Sequence, residues 1–271
     1  MKNGLNNNPI GMFDSGLGGL TVLKELVKIL PSENIIYFGD TARVPYGTKS
    51  ENAVRNFSRQ ITKFLIGHNV KLILVACNTA SALALNDIKK IAKEIPVIGV
   101  IKSGVRAAVS ETVNKKIGII GTPATIKSES YQNAVKIFNK KIKIVQQPCP
   151  LFVPLVEEGW IYGKIMKDIA KIYLHPLKKA GCDVVILGCT HYPIIKEIIQ
   201  EVVGEKIKLI DSAEEVSKDV KKILSNKGLI RTANSRGNLK FYVSDAPDKF
   251  SKLSKIFLGK IISGVKKVSI E

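Results

Sequence analysis

The chain is predicted to be an α/β protein built as two pseudo-symmetric domains, each a mainly parallel sheet flanked by helices. Three observations carry that prediction. Short apolar strands alternate with segments of helical spacing along most of the chain, the pattern of a parallel sheet covered on both faces. The order of elements returns after about 110 residues, roughly one domain's length of chain. Two strands, in LILVACNTASA (72–82) and VVILGCTHYP (184–193), end in a cysteine followed by hydroxyl, amide or imidazole side chains.

Residues 10–13 form the first strand, which breaks at Asp14, Ser15 and Gly16. Leu20, Leu23, Leu26, Val27 and Leu30 then recur at helical spacing until Pro31 stops them. A second strand over 34–38 ends at Gly39 and Asp40, and the loop RVPYGTKS (43–50) leads to a helix bearing Val54, Phe57, Ile61, Phe64 and Leu65. The third strand, 70–76, delivers Cys77. A helix to about residue 93 and a fourth strand over 97–101 come next.

The same order then repeats. Strand 117–120 and the turn GTPAT (121–125) precede a helix to about residue 138, strand 142–145 and the loop QQPCPLFVPLVEEG (146–159). A helix from 162 to about 180 and strand 184–187 lead to Cys189. The chain beyond Lys208 exceeds two equal units: a strand over 209–210, a helix over 214–225, a strand over 239–243 and a helix over 247–258. This excess is expected to complete the first sheet. The expected division is 1–100 plus 211–271 against 101–210, with the active site in the cleft between them.

Composition narrows the function classes. At 271 residues the chain can bury a substantial core. No run of about 18 apolar residues occurs, and the N-terminal MKNGLNNNPIGM lacks the apolar core of a signal peptide, so a soluble, cytoplasmic protein without membrane association is expected. Cys77, Cys149, Cys182 and Cys189 are too few for a disulfide scaffold and form no CxxC pair, so free thiols and no zinc site are expected. The net charge, 42 − 23 = +19, would attract nucleic acid at long range. The lysines are scattered through helix-like segments rather than gathered with aromatics, so a solvated basic surface is the expectation and nucleic acid is not an expected partner.

Ligands of open parallel sheets bind outside the carboxyl ends of the strands, where loops and helix N-termini offer backbone N–H groups. Asp14, Ser15, Asp40, Cys77, Asn78, Thr79, Thr122, Cys189, Thr190 and His191 fall at such ends. The glycine-rich FDSGLGG (13–19) lacks the GxGxxG spacing and P-loop lysine, so Gly16, Gly18 and Gly19 are read as turn formers rather than a nucleotide loop. Asp14 would be costly to bury alone; it either caps the next helix or handles a proton or ammonium of a substrate.

A single buried cysteine most often serves as a small hydrophobe, and that reading is taken for Cys149 and Cys182. Cys77 and Cys189 differ, because each ends a strand near an expected helix N-terminus whose dipole favours thiolate. His191 either assists proton transfer or bonds a backbone carbonyl. Two similar thiols across a cleft suit racemisation, in which one group removes a proton from a stereocentre and another delivers one to the opposite face. A redox pair is the competing reading, and it lacks the usual CxxC spacing.

FDSGLGGLTV, YFGDTARVPYGTKS, ACNTASA, GTPATIKS, CPLFVPLVEEG, LGCTHYP and FYVSDAPDKF with a later FLG occur in that order over residues 10–259. In these the chain resembles the glutamate racemases of the aspartate/glutamate racemase superfamily. The resemblance implies interconversion of L- and D-glutamate without pyridoxal phosphate or metal, supplying D-glutamate for peptidoglycan. It implies that Cys77 and Cys189 are the two thiols, that Asp14, His191 and Glu157 tune them, and that Ser15, Pro45, Tyr46, Gly47, Asn78, Thr79 and Thr190 hold the substrate together with Asp14 and His191. An aspartate or other amino-acid racemase on the same scaffold is the runner-up, with the PYG loop against it. A basic nucleic-acid-binding or regulatory protein that keeps the fold is the non-enzymatic alternative. The resemblance leaves a homodimer open.

Overall fold

The computed structural model describes residues 5–270; Met1 to Gly4 of the N-terminal stretch, and Glu271, lie outside the described residues. The elements run β1 (Ile10–Asp14), α1 (Leu20–Ile29), β2 (Ile35–Gly39), α2 (Glu51–Gly67), β3 (Leu72–Val75), α3 (Asn78–Leu83), α4 (Leu85–Ala92) and β4 (Val97–Gly99). They continue with α5 (Val100–Glu111), β5 (Lys116–Gly121), α6 (Pro123–Lys127), α7 (Ser130–Phe138), β6 (Lys143–Pro148), α8 (Phe152–Glu157), α9 (Gly163–Ala180) and β7 (Val184–Gly188). The chain ends with α10 (Lys196–Val203), β8 (Lys208–Asp211), α11 (Ser212–Asn226), β9 (Leu239–Val243), α12 (Pro247–Leu258) and the two-residue β10 (Lys266–Lys267).

Two sheets result, and every strand pairing in them is parallel. The first has the order β10-β9-β2-β1-β3-β4 and the second β6-β5-β7-β8. The runs β2-β1-β3-β4 and β6-β5-β7-β8 are one arrangement used twice, so β3 and β7, the strands that deliver the cysteines, occupy equivalent places. Strand burial explains the near-continuous apolar runs. Ile10 and Met12 of β1 face one core while Phe13 faces another, and in β3 Leu72 and Leu74 alternate with Ile73 and Val75 in the same way. A third core lies on the far face of the second sheet, around Ile117, Ile119, Val184 and Ile186.

Several elements differ from expectation. The strand expected over 97–101 stops at Gly99, and Val100 begins α5, a helix that the periodicity does not announce. The run VIGVI spans both elements because Val97 and Ile98 line a sheet while Val100, Ile101, Val105 and Ala108 are one helix face, fully or nearly buried. The expected loop 146–159 contains α8. Pro154 stands third in that helix, where a missing N–H costs no intrahelical bond. The strand expected at 209–210 to complete the first sheet is β8, and it pairs with β7 in the second. Only β9 and β10 extend the first sheet, at the β2 edge. The helix expected to run unbroken to 138 is divided into α6 and α7 at Glu129, whose φ is 54°. Helix α11 packs against both α1 and α5, and the largest core runs through both halves. Among the described residues no helix is long and apolar enough to cross a membrane.

Candidate active site

The carboxyl edges of the two sheets converge on a buried group of polar side chains. Asp14 closes β1 and is fully buried, Cys77 follows β3 by two residues, Thr122 follows β5 directly, and Cys189 follows β7 directly. Cys77, Asn78, Thr79, Cys189, Thr190, His191 and Tyr46 are all buried as well.

Cys77 caps α3, its Sγ accepting the Ala80 N–H at 3.4 Å. The expected thiolate-favouring environment is not what surrounds it. Burial comes first and the nearby Asp14 carboxylate second, and together with the charge of Cys189 they outweigh the Ala80 and Ser15 hydrogen bonds and push the thiol up to about 12. A helix of six residues adds little dipole against that desolvation. Cys77 is therefore a protonated thiol in this arrangement, placed within electrostatic reach of Cys189.

Cys189 departs from expectation in a different way: no α-helix begins there. Tyr192–Ile195 forms a 3-10 turn and α10 starts only at Lys196. Its partner is the imidazole two residues on, with His191 Nδ1 3.9 Å from Cys189 Sγ. His191 Nε2 lies 3.0 Å from Glu157 Oε1 on α8, so neither ring nitrogen serves a backbone carbonyl. Burial on its own would lower the His191 pKa, but the hydrogen bonds and charges of Cys189 and Glu157 overcome it and raise the imidazole to about 10. Sequence spacing alone puts His191 beside Cys189; Glu157 arrives from 34 residues away through α8, a helix inside an expected loop.

Asp14 does not cap α1, whose first residues are preceded by Gly19 without a side-chain cap. Its Oδ2 accepts the Gly16 N–H at 3.0 Å and its Oδ1 accepts the Thr190 hydroxyl at 3.4 Å, a contact that joins the two halves. Burial raises the Asp14 carboxyl pKa, opposed by the charge of His191 and by hydrogen bonds from the loop. Thr190 is tied a second time, its carbonyl accepting the Thr21 hydroxyl at 3.0 Å. The glycines of the loop prove to be more than turn formers. Gly16, Gly18 and Gly19 do not have positive φ, but a Cβ on Gly18 would sit 2.2 Å from Thr190 Oγ1 and 2.5 Å from His191 Nδ1, and one on Gly19 would sit 2.5 Å from Asp14 Cβ.

The remaining expected ligand-holding residues surround this centre. Ser15 is half-buried, Pro45 exposed, and Tyr46 and Gly47 buried. Gly47 lies against Thr122, where a Cβ would come within 2.5 Å of the threonine Cβ. The Tyr46 hydroxyl donates to Asp40, which is fully buried and also accepts from Arg43 Nε at 2.8 and 2.9 Å and from Ser244 Oγ at 2.8 Å. Thr79 exchanges hydrogen bonds with Thr122 at 3.0 Å and Thr125 at 3.1 Å, again across the two halves. Sequence reasoning missed Thr125, Tyr131 and Tyr37, whose hydroxyl donates to Gly16 O at 2.8 Å. Thr125 stands in GTPAT beside Thr122, so that turn carried a signal; the tyrosines carried none. Cys149 and Cys182 are buried apolar-site thiols as expected, and burial raises both, Cys182 to about 11. Among the described residues no three His, Cys, Asp or Glu side chains gather to hold a metal.

Chemically, the arrangement offers two sulfurs from equivalent strand ends, each with its own proton-handling neighbours, enclosed from water. A family model described as Asp/Glu/Hydantoin racemase matches residues 10–218. The chain is 49% identical over 262 residues to the glutamate racemase of Geobacter metallireducens, covering 97% of each, and 44% identical over 270 residues to that of Neisseria gonorrhoeae, covering 100% of each. Among solved structures it is similar to glutamate racemase from Francisella tularensis in complex with D-glutamate, with a TM-score of 0.92, 45% identity, and coverage of 97% of this chain and 98% of that one. An aspartate racemase homologue from Pyrococcus horikoshii, 16% identical with a TM-score of 0.59 over 80% of this chain and 99% of that one, shares the fold alone.

Proposed function

We propose that this chain, which belongs to the Asp/Glu/Hydantoin racemase family and groups within it with the glutamate racemases, interconverts L- and D-glutamate by two-base proton transfer at the α-carbon. The product D-glutamate would serve peptidoglycan synthesis. The observation that carries the mechanism is the placing of Cys77 and Cys189 at equivalent strand ends of two repeated sheets, inside one buried group of polar side chains.

In this reading a thiolate on one side takes the α-proton and becomes a thiol, while the thiol opposite gives its proton to the other face and becomes the thiolate. The two sulfurs thus exchange states in each turnover, and no pyridoxal phosphate or metal enters. Asp14 adjoins the Cys77 side and His191 with Glu157 adjoins Cys189, so each thiol has a separate reservoir for its proton. Cys77 held up to about 12 suits the donor, and the imidazolium of His191 offers positive charge to an ionised Cys189. Asn78, Thr79 and Thr190, with Ser15 and the backbone of Pro45, Tyr46 and Gly47, would hold the carboxylates and the ammonium. Exclusion of water strengthens those contacts and favours charge development at the α-carbon. The cleft is closed around these groups, so 1–100 with 211–271 and 101–210 would separate to admit substrate.

Incubation of the reduced enzyme with L-glutamate in deuterated water is expected to yield D-glutamate carrying deuterium at the α-carbon; absence of exchange would sink the reading. Cys77→Ala and Cys189→Ala should each lose racemisation while Cys182→Ala stays near wild type. A panel including aspartate measures the substrate preference directly.

A further inference from the structure

Tyr131 belongs to none of the motifs that mark the site, yet its side chain reaches it. It is the second residue of α7, fully buried, and its hydroxyl donates to Asn78 Oδ1 at 2.6 Å. The two residues lie 53 positions apart, Asn78 in the helix after β3 of the first sheet and Tyr131 in a helix after β5 of the second. The ring also lies against Gly188, where a Cβ would come within 3.3 Å of Tyr131 Cε2, so the tyrosine packs on the backbone immediately before Cys189. The start of α7 is tethered to the first half once more, Ser130 Oγ donating to Ala82 O at 3.0 Å.

An asparagine amide has one accepting and one donating end, and which end faces a ligand decides whether it can bind a carboxylate. The Tyr131 hydroxyl occupies Oδ1. Among the described residues no acceptor binds Asn78 Nδ2, which leaves the donating end available. Burial raises the Tyr131 phenol above its ordinary value, so it stays protonated and able to donate.

We propose that Tyr131 is a positioning residue: it fixes the Asn78 amide with Nδ2 available to donate to a carboxylate of the substrate, and does so only when α7 and α3 are together. This rests on the reading of Asn78 as a substrate-binding residue. Closure of the two halves would then complete a binding group that neither half presents correctly oriented alone.

Steady-state kinetics with L-glutamate test both layers. Tyr131→Phe keeps the ring and removes only the hydroxyl; KM should rise roughly tenfold, the effect of about 1.4 kcal/mol, with kcat changed much less. Asn78→Ala should raise KM at least as far, and adding Tyr131→Phe to it should cost nothing more. Ser130→Ala, which loosens the same contact between halves without touching the phenol, should leave KM near wild type. If Asn78→Ala leaves KM unchanged, the binding role of Asn78 is wrong. If Asn78→Ala raises KM but Tyr131→Phe lowers only the melting temperature, or costs as much in the Asn78→Ala background as alone, or if Ser130→Ala raises KM equally, the positioning role is overturned. A glutamate-bound crystal structure with Asn78 Nδ2 turned away from both carboxylates overturns it independently of any variant.

Discussion

His191 is the residue on which most of the site's electrostatics converge. It touches Cys189 and Glu157, and its charge opposes the burial-driven rise in the Asp14 pKa. Its folded pKa of about 10 lies above the ordinary 6.5, so the stability it contributes is fully present below about pH 6.5 and is lost as pH rises through about 10. Asp14 has the same sign in a more acid window: its raised pKa means stability is greatest below the usual carboxylate range and falls as pH rises through the raised value, where the buried carboxyl must ionise. Melting curves of wild type and His191→Asn should therefore be furthest apart below about pH 6.5 and converge toward about pH 10; a gap independent of pH would contradict the assignment. Gly18 makes a sharper steric claim, since any Cβ there enters the space of Thr190 and His191. Gly18→Ala is expected to reduce kcat/KM by an order of magnitude or more, the scale at which a misplacement of about 1 Å registers, and retained activity would show that the loop can retreat.

At the scale of elements, stability and chemistry occupy opposite ends of the first sheet. The proton-handling groups stand at the carboxyl edge. At the entry to β3, Lys71 pairs with Glu33, both side chains 1% exposed, and donates to Asn6 O and Leu229 O. Glu33 also accepts the Arg231 N–H at 2.8 Å, so this pair fastens the segment leading to β9. Burial, only partly offset by Glu33, lowers the Lys71 pKa, and removing one partner would leave the other's charge stranded. Lys71→Ala should cost about 3–5 kcal/mol in chemical denaturation with kcat near wild type at 25 °C. A loss below about 1 kcal/mol would mean that the site relaxes or hydrates freely. The helices that packing creates are also the hardest to read from the chain. α5 hides in an apolar run continuous with β4, and α8 contains a proline, because local composition does not say which face an element turns to which neighbour.

For the whole molecule the decisive property is enclosure. Cys77 is 4% and Cys189 6% exposed, in a cleft crossed by the Thr190–Asp14, Thr21–Thr190, Thr79–Thr122 and Asn78–Tyr131 hydrogen bonds. Thiol alkylation at neutral pH should therefore proceed only as the halves part, and glutamate should slow it at Cys77 and Cys189 together. Cys182, buried away from the cleft, should label only on unfolding; peptide mapping that finds all three modified at one rate would show that unfolding, not opening, exposes the cleft. The alternation of strands and helices, the doubling of the unit and the two cysteine-bearing strand ends are legible along the chain, because periodicity and turn chemistry are local properties. So is the place of His191 and Thr190 beside Cys189. Folding in three dimensions is what brings β8 into the second sheet, Glu157 to His191 and Tyr131 to Asn78, and what makes Cys77 a high-pKa thiol rather than a helix-stabilised thiolate. Those outcomes depend on burial and on contacts between residues far apart in the chain, and neither desolvation nor long-range pairing is written in any local pattern.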